Sequence, residues 1–335
     1  KRVLAMLLAG AMALSMTACG GNSASTDGSS NDGGASASGG SYKVSVILKT
    51  LAAEYWQYVK SGAEDYASEH SDKVTVEVKG PSSETAFDEM QNMIETDLSS
   101  GSYDGVIISP LQSDTAAQLV SGTKLPIVAI DTNFTAPEVK SFVGTGNEAA
   151  AKKGGEAAVE AAKAAGWTDI KCIEIAGVQG DQTNTARMNG YKAGVEEAGG
   201  TFLSDEVQYA DATADRATTA MEAIMQTHPE GIAIICANND DMAMAAARAA
   251  QGHDAYKNTI FLGFNGDRAA CEAILAGQMT MSVAQMAYEM GYKAVETMVQ
   301  VLDGETVDEF VDSGSDVVTP DNAQERLDTL KTQLH

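Results

Sequence analysis

Positive charge is scarce in this chain of 335 residues: 22 lysines and arginines stand against 47 aspartates and glutamates, a formal net charge of −25. Such a balance repels nucleic-acid phosphates and anionic lipid headgroups, so no nucleic-acid partner is expected, and solubility is its general effect. Histidine is nearly lacking: His70, His228, His253 and His335 lie far apart with no metal-binding spacing, and no metal or other cofactor is expected. Cysteine is sparse as well. Beyond Cys19 there are Cys172, Cys236 and Cys271, an odd number at wide spacings without a CxxC. They support neither a disulfide framework nor a zinc site and read as small buried hydrophobes. No GxSxG, HExxH or P-loop occurs, which removes the commonest signatures of hydrolytic, metalloprotease and nucleotide chemistry.

Long apolar runs are also missing, except at the start. Lys1 and Arg2 precede an apolar stretch from Val3 to Ala13, of signal-peptide length and too short for a stable membrane anchor. Leu14-Ser15-Met16-Thr17-Ala18-Cys19 follows, and then Gly20 to Ser41 is almost wholly Gly, Ser, Ala, Asn, Thr and Asp. That composition cannot bury enough apolar surface to offset its ordering entropy and reads as a tether. The order resembles the lipobox of bacterial lipoproteins, with Met16 where that family prefers Leu. The resemblance implies a signal peptide over 1–18, lipidation of Cys19 and a leash over 19–41. The other reading is an ordinary signal peptide ending near Ala18, with Cys19 an idle thiol.

The body of about 290 residues exceeds one typical domain, and at 44% hydrophobic it can form real cores. From Tyr42 onward short β-branched runs alternate with amphipathic stretches, the pattern of mostly parallel α/β sheets. Strands are predicted over Tyr42 to Leu48, Lys73 to Val78, Asp104 to Ser109, Pro126 to Asp131, Lys171 to Ala176, Phe202 to Tyr209, Gly231 to Ala237, Thr259 to Phe264 and Met279 to Ala284. Apolar residues at three and four spacing predict helices over Glu54 to Glu69, Glu84 to Leu98, Glu148 to Ala165, Thr213 to Gln226 and Met286 to Leu302. A break near Val143-Gly144-Thr145 divides the body into two Rossmann-like lobes of about equal size.

In open parallel sheets a ligand crevice lies beyond the carboxyl ends of the strands. Tyr55 and Trp56 follow the first strand and Asp131-Thr132-Asn133 the fourth; Asp181 and Arg187 follow the first strand of the second lobe. Later strands end in Asn238-Asn239-Asp240-Asp241, in Asn265-Gly266-Asp267 and in Gln285. Carboxylates, amides and a guanidinium can each bond neighbouring hydroxyls, and aromatic faces pack on the C–H faces of a sugar ring. Each residue also has a plain structural use. Asn and Asp at strand ends form turns and cap helices, and Tyr55 or Trp56 could belong to a core.

Nearly all of 42–300 resembles the sugar-binding proteins of ABC importers, the ribose, allose and galactose group with the type I periplasmic-binding-protein fold. The segments that carry the likeness are Val46-Ile47-Leu48-Lys49-Thr50-Leu51 with Tyr55-Trp56, Ala237-Asn238-Asn239-Asp240-Asp241-Met242-Ala243, Gly263-Phe264-Asn265-Gly266 and Ser282-Val283-Ala284-Gln285. The likeness implies stacking by Tyr55 and Trp56, paired hydroxyl bonds to Asp131, ring-oxygen and hydroxyl bonds from Arg187, and further hydroxyl bonds to Asn239 and Gln285. Asn265 stands where the family often has Asp. Ala53 and Glu54 replace a frequent Asn and Pro, Thr132 replaces the Arg of ribose binders, and Ala212 falls where a second-lobe aromatic is usual. Asn133 and Asp181 complete the candidate set.

The resemblance further implies an N-terminal lobe of 42–145 plus 286–314, a C-terminal lobe of 146–285 plus 315–335, and crossings near Thr145, Gln285 and Gly314. A monomer is expected that closes on a monosaccharide by hinge motion and hands it to an ABC permease with its ATPase, with no chemistry on the sugar. Lipid on Cys19 would hold it to the outer face of the cytoplasmic membrane, in a Gram-positive bacterium. A sensor that presents the same ligand to a chemoreceptor or histidine kinase shares these features. An exported carbohydrate-active enzyme and a dinucleotide enzyme are the rivals with chemistry. Gly144-Thr145-Gly146-Asn147-Glu148-Ala149 satisfies GxGxxA, but a lone match is a weak signal, and a glycine-rich hinge leading into the second lobe is the better reading.

Overall fold

The computed structural model describes residues 41–334, so the leader, Cys19 and nearly all of the tether lie outside the described residues. The chain first builds β1 (Tyr42–Ile47), α1 (Glu54–Glu69), β2 (Val74–Lys79), α2 (Phe87–Ser99), β3 (Gly105–Ile108), α3 (Ser113–Val120), β4 (Ile127–Ile130) and β5 (Val139–Gly144). β3 and β4 are four-residue runs buried throughout, as strands covered on both faces must be. Ile47, Val106, Ile108 and Ile127 pack with Met90 and Ile94 of α2 and Val120 of α3. Each such side chain contributes roughly 1.5–3 kcal/mol when fully withdrawn from water.

A second set follows: α4 (Asn147–Ala164), β6 (Lys171–Ala176), α5 (Gln182–Glu197), β7 (Thr201–Phe202), β8 (Gln208–Tyr209), α6 (Ala214–Thr227), β9 (Ile234–Ala237), α7 (Asp240–Ala250), β10 (Ile260–Asn265), α8 (Arg268–Leu275) and β11 (Met281–Gln285). The chain ends with α9 (Ala287–Leu302), β12 (Phe310–Asp312), β13 (Ser315–Val318) and α10 (Ala323–Gln333). One sheet has the order β12-β5-β4-β3-β1-β2, the other β13-β11-β10-β9-β6-β7 with β8 beside β6. Among the described residues all strand pairs are parallel except β11 with β13.

The chain therefore leaves the first sheet after β5, returns to it after β11 and leaves it again after β12. α9 is seated on the first sheet's side by close contact with α1. A β-carbon at Gly62 would collide with the Tyr288 carbonyl, and one at Gly291 with the Val59 carbonyl, so these two glycines let the helix backbones touch.

Three strands escape the pattern reading. β5 carries a half-exposed face. β12 is Phe310-Val311-Asp312 with no buried residue, and β13 is Ser315-Asp316-Val317-Val318 with only Val318 buried, so neither sequence shows the apolar–polar alternation that marks a strand. The run predicted as one strand over Phe202 to Tyr209 is two short strands around the polar 3-10 turn Ser204–Glu206. Cys172 and Cys236 lie on the neighbouring strands β6 and β9, fully buried as free thiols with their sulfurs 3.4 Å apart.

Candidate ligand-binding site

β1 and β4 deliver one wall of a cleft at their carboxyl ends. Asp131 follows β4 with φ at 63°, a left-handed conformation that Asp tolerates better than most residues. Its carboxylate is surrounded by donors. Tyr55 Oη–H donates to Oδ1 at 2.8 Å, Thr132 Oγ1–H donates to Oδ2 at 2.8 Å, and Lys49 Nζ stands 3.9 Å from Oδ2. Burial, with the Asp131 charge beside it, pushes the Tyr55 phenol well above its ordinary value. Trp56 packs edge-on against Tyr55 with ring centroids 5.0 Å apart, and its indole N–H donates to Glu84 Oε1 at 2.8 Å.

The other wall comes from β6, β9, β10 and β11. Arg187 projects from α5, with Nε–H donating to Asn147 Oδ1 at 2.8 Å and Nη1–H donating to the Asn238 carbonyl at 2.8 Å. Its guanidinium carbon lies 3.9 Å from the centre of the Phe264 ring, a cation–π contact that fixes the plane. These bonds use two of five N–H groups. Below it, Glu174 of β6 accepts from Asn238 Nδ2 at 3.2 Å, and burial pushes its carboxyl up to about 8. At the ends of β10 and β11, Gln285 Nε2–H donates to Asn265 Oδ1 at 2.9 Å.

The two walls touch. Thr132 and Thr183 hydroxyls are 3.5 Å apart, and Glu54 at the start of α1 faces Arg268 at the start of α8, with Nε 3.3 Å from Oε1 and Nη2 3.4 Å from Oε2. Glu54 Oε1 also accepts from Tyr58 Oη–H at 2.8 Å.

Of the residues singled out in the sequence, Tyr55 and Asp131 meet directly on one wall, Trp56 packs behind them, and Arg187, Asn265 and Gln285 lie on the other. Asn239 is the N-cap of α7, accepting from Met242 N–H at 2.9 Å, while its Nδ2–H donates to the Ala212 carbonyl at 3.1 Å. Asp181 is likewise the N-cap of α5, accepting from Asn184 N–H at 2.7 Å. Asn133 is exposed, and its backbone carbonyl accepts from the Ser113 hydroxyl at 2.9 Å. Sequence reasoning passed over Lys49, Asn147, Thr183, Glu174 and Phe264. Lys49 obeys the same strand-end rule as Asp131. Phe264 sits inside a strand, where nothing in the sequence separates it from core, whereas Glu174 carries a signal that could have found it, a lone carboxylate in the otherwise apolar run 172–176 of β6. Gly144 to Ala149, the GxGxxA match, is the passage from β5 into α4.

The two walls thus set a carboxylate that accepts from two hydroxyls, one of them a tyrosine's, opposite a guanidinium and two amides, groups that bond neighbouring hydroxyls and pack on an apolar ring face. The family described as periplasmic binding protein domain matches residues 44–306. The chain belongs to that family. The D-allose-binding periplasmic protein of Escherichia coli is 30% identical over 264 residues, covering 76% of this chain and 82% of that protein. The ribose import binding protein of Bacillus subtilis is 26% identical over 274 residues, covering 81% and 85%. A carbohydrate transporter solute-binding protein from Agrobacterium radiobacter, in complex with D-arabinose, superimposes with a TM-score of 0.76 at 23% identity, covering 88% of this chain and 99% of that one. The expected type I periplasmic-binding-protein fold is the one observed, with its two mostly parallel sheets. Its relatives named here are binding proteins.

Proposed function

We propose that this protein is the extracytoplasmic binding component of an ABC importer and captures a monosaccharide between its two halves. The observation that carries the reading is the placement of a carboxylate, Asp131, on one wall and a guanidinium, Arg187, on the other, each held by the protein's own hydrogen bonds. The allose- and ribose-binding relatives support the ligand class. The lobes of this reading are 42–145 plus 286–314 and 146–285 plus 315–335. Their relative motion falls on the crossings near Thr145, Gln285 and Gly314. A ligand that bonds both walls stabilises the closed form in proportion to what it gains there over the open form, and a permease can read that closed surface. No nucleophile is needed, and Tyr55, Asp131, Arg187, Asn265 and Gln285 serve as ligand-binding residues, while Asn239 is spent on capping α7. We assign Cys19 as a lipid anchor, which suits an importer in a cell without a periplasm, hence a Gram-positive one, and a monomeric receptor. A thermal-shift screen against pentoses, hexoses and polyols tests the reading: stabilisation by one or more of them is expected. Stabilisation by none of them, together with a strong response to a nucleoside or an amino acid, would overturn it.

A further inference from the structure

We propose that Asp240 is a positioning residue for the cleft, acting through Asn265 and Gln285; the inference rests on the ligand-binding reading above. In sequence Asp240 and Asp241 look like a helix-capping acid pair. The capping is done by others: Asn239 caps α7, and Asp267 caps α8 by accepting from Ala270 N–H at 2.9 Å. Asp240 is fully buried and turned to a different task. Its Oδ2 accepts from the backbone N–H of Gly266 at 2.8 Å and of Asp267 at 3.2 Å, and its Oδ1 accepts from the Ser282 hydroxyl at 2.6 Å. Gly266 N–H is shared with Ser282 Oγ at 3.0 Å. One side chain therefore ties the start of α7 to the turn after β10 and to β11.

That turn needs tying. Asn265 has φ at 138° and Gly266 at 62°, and a non-glycine residue in such a region costs on the order of 1–3 kcal/mol, persisting only where its surroundings over-determine it. The surroundings here are shaped to admit the acid, since a β-carbon at Gly263 would collide with Asp240 Oδ1. The held turn presents Asn265, which accepts from Gln285, and Gln285 ends the strand that carries Ser282. Both cleft amides thus derive their placement from one buried carboxyl. Burial, with Asp267 beside it, holds that carboxyl well above the usual carboxylate range, so an amide of the same shape reproduces most of its bonds. Oδ1 of an asparagine can accept from the two backbone N–H groups while its Nδ2–H donates to Ser282 Oγ.

The test titrates D-allose calorimetrically into the wild type, Asp240→Ala, Asp240→Asn, Asn265→Ala and the Asp240→Ala/Asn265→Ala double variant, with Tm recorded for each. Asp240→Ala is expected to weaken binding about tenfold or more, Asp240→Asn less than about threefold, and the double variant by clearly less than the two single losses combined, the remainder beyond Asn265→Ala being the part carried by Gln285. Additive affinity losses, or wild-type affinity in Asp240→Ala, would overturn the proposal. Amide hydrogen exchange gives a readout that needs no sugar: Gly266 and Asp267 lose protection selectively in Asp240→Ala and keep it in Asp240→Asn. If the wild type binds no sugar, the functional reading falls and exchange alone decides on the turn, where unchanged or uniformly raised exchange counts against Asp240. Should Asp240→Ala fail to fold, Ser282→Ala replaces it, with a several-fold loss of affinity expected and an unchanged affinity overturning the proposal.

Discussion

Glu174 is a carboxyl group placed inside a sheet, fully buried on β6, with Oε1 bonded to Asn238 and Oε2 without a partner among the described residues. Its pKa is raised to about 8, chiefly by burial, with the Asn238 hydrogen bond and the Arg187 charge pulling the other way. The unfolded chain releases this proton near the ordinary glutamate value, whereas the folded protein holds it to about 8. Between those two values the folded state binds more protons, so stability falls as pH rises, and the penalty is complete above the folded pKa. Glu174→Gln removes the titration. Its Tm relative to wild type should be higher at about pH 8 than at about pH 5, by an amount on the order of 1–4 kcal/mol in stability. Equal differences at the two pH values in a melting series would show that Glu174 does not titrate this way.

At the scale of elements, the strand ends decide what the sequence makes legible. Asp131, Asn238, Asn239, Asn265 and Gln285 can be found without a structure, because each follows a run of apolar residues and parallel strands deliver their carboxyl ends to one edge. Which strand-end residues cap helices cannot be found that way: Asp181, after β6, and Asn239 have the same composition signature as a ligand contact, and only backbone geometry separates the uses. β5, β12 and β13 were hidden for a related reason, since edge and half-exposed strands lose the burial pattern. The pair Glu54–Arg268 joins α1 to α8 across the two walls and could be read from neither helix alone. Both side chains are partly exposed, so its contribution is small, about 0–1 kcal/mol, and screened by salt. Arg268→Gln should raise the sugar's dissociation rate by a few-fold at most, and the difference from wild type should shrink from low to high salt. A stopped-flow measurement showing a salt-independent difference would place the effect elsewhere.

For the whole molecule, the chain passes three times between two sheets, and under the proposed function these passages are where a ligand that bonds both walls would draw the halves together. Location is a separate matter from affinity. With Cys19 as the lipidated residue, Cys19→Ser should release the protein from the membrane fraction into the medium and leave its sugar affinity unchanged. Continued membrane retention in a fractionation would end the anchor proposal. The central claim is that one monosaccharide is gripped from both walls, and calorimetric titration of D-allose, D-ribose and D-arabinose into the wild type, Asp131→Ala and Arg187→Ala tests it most directly. Saturable one-to-one binding of at least one sugar is predicted, with a loss of about tenfold to a hundredfold in each variant, the loss expected when a charged hydrogen-bonding partner is removed. Binding that survives both substitutions unchanged, or a wild type that takes up none of the three, would contradict the account.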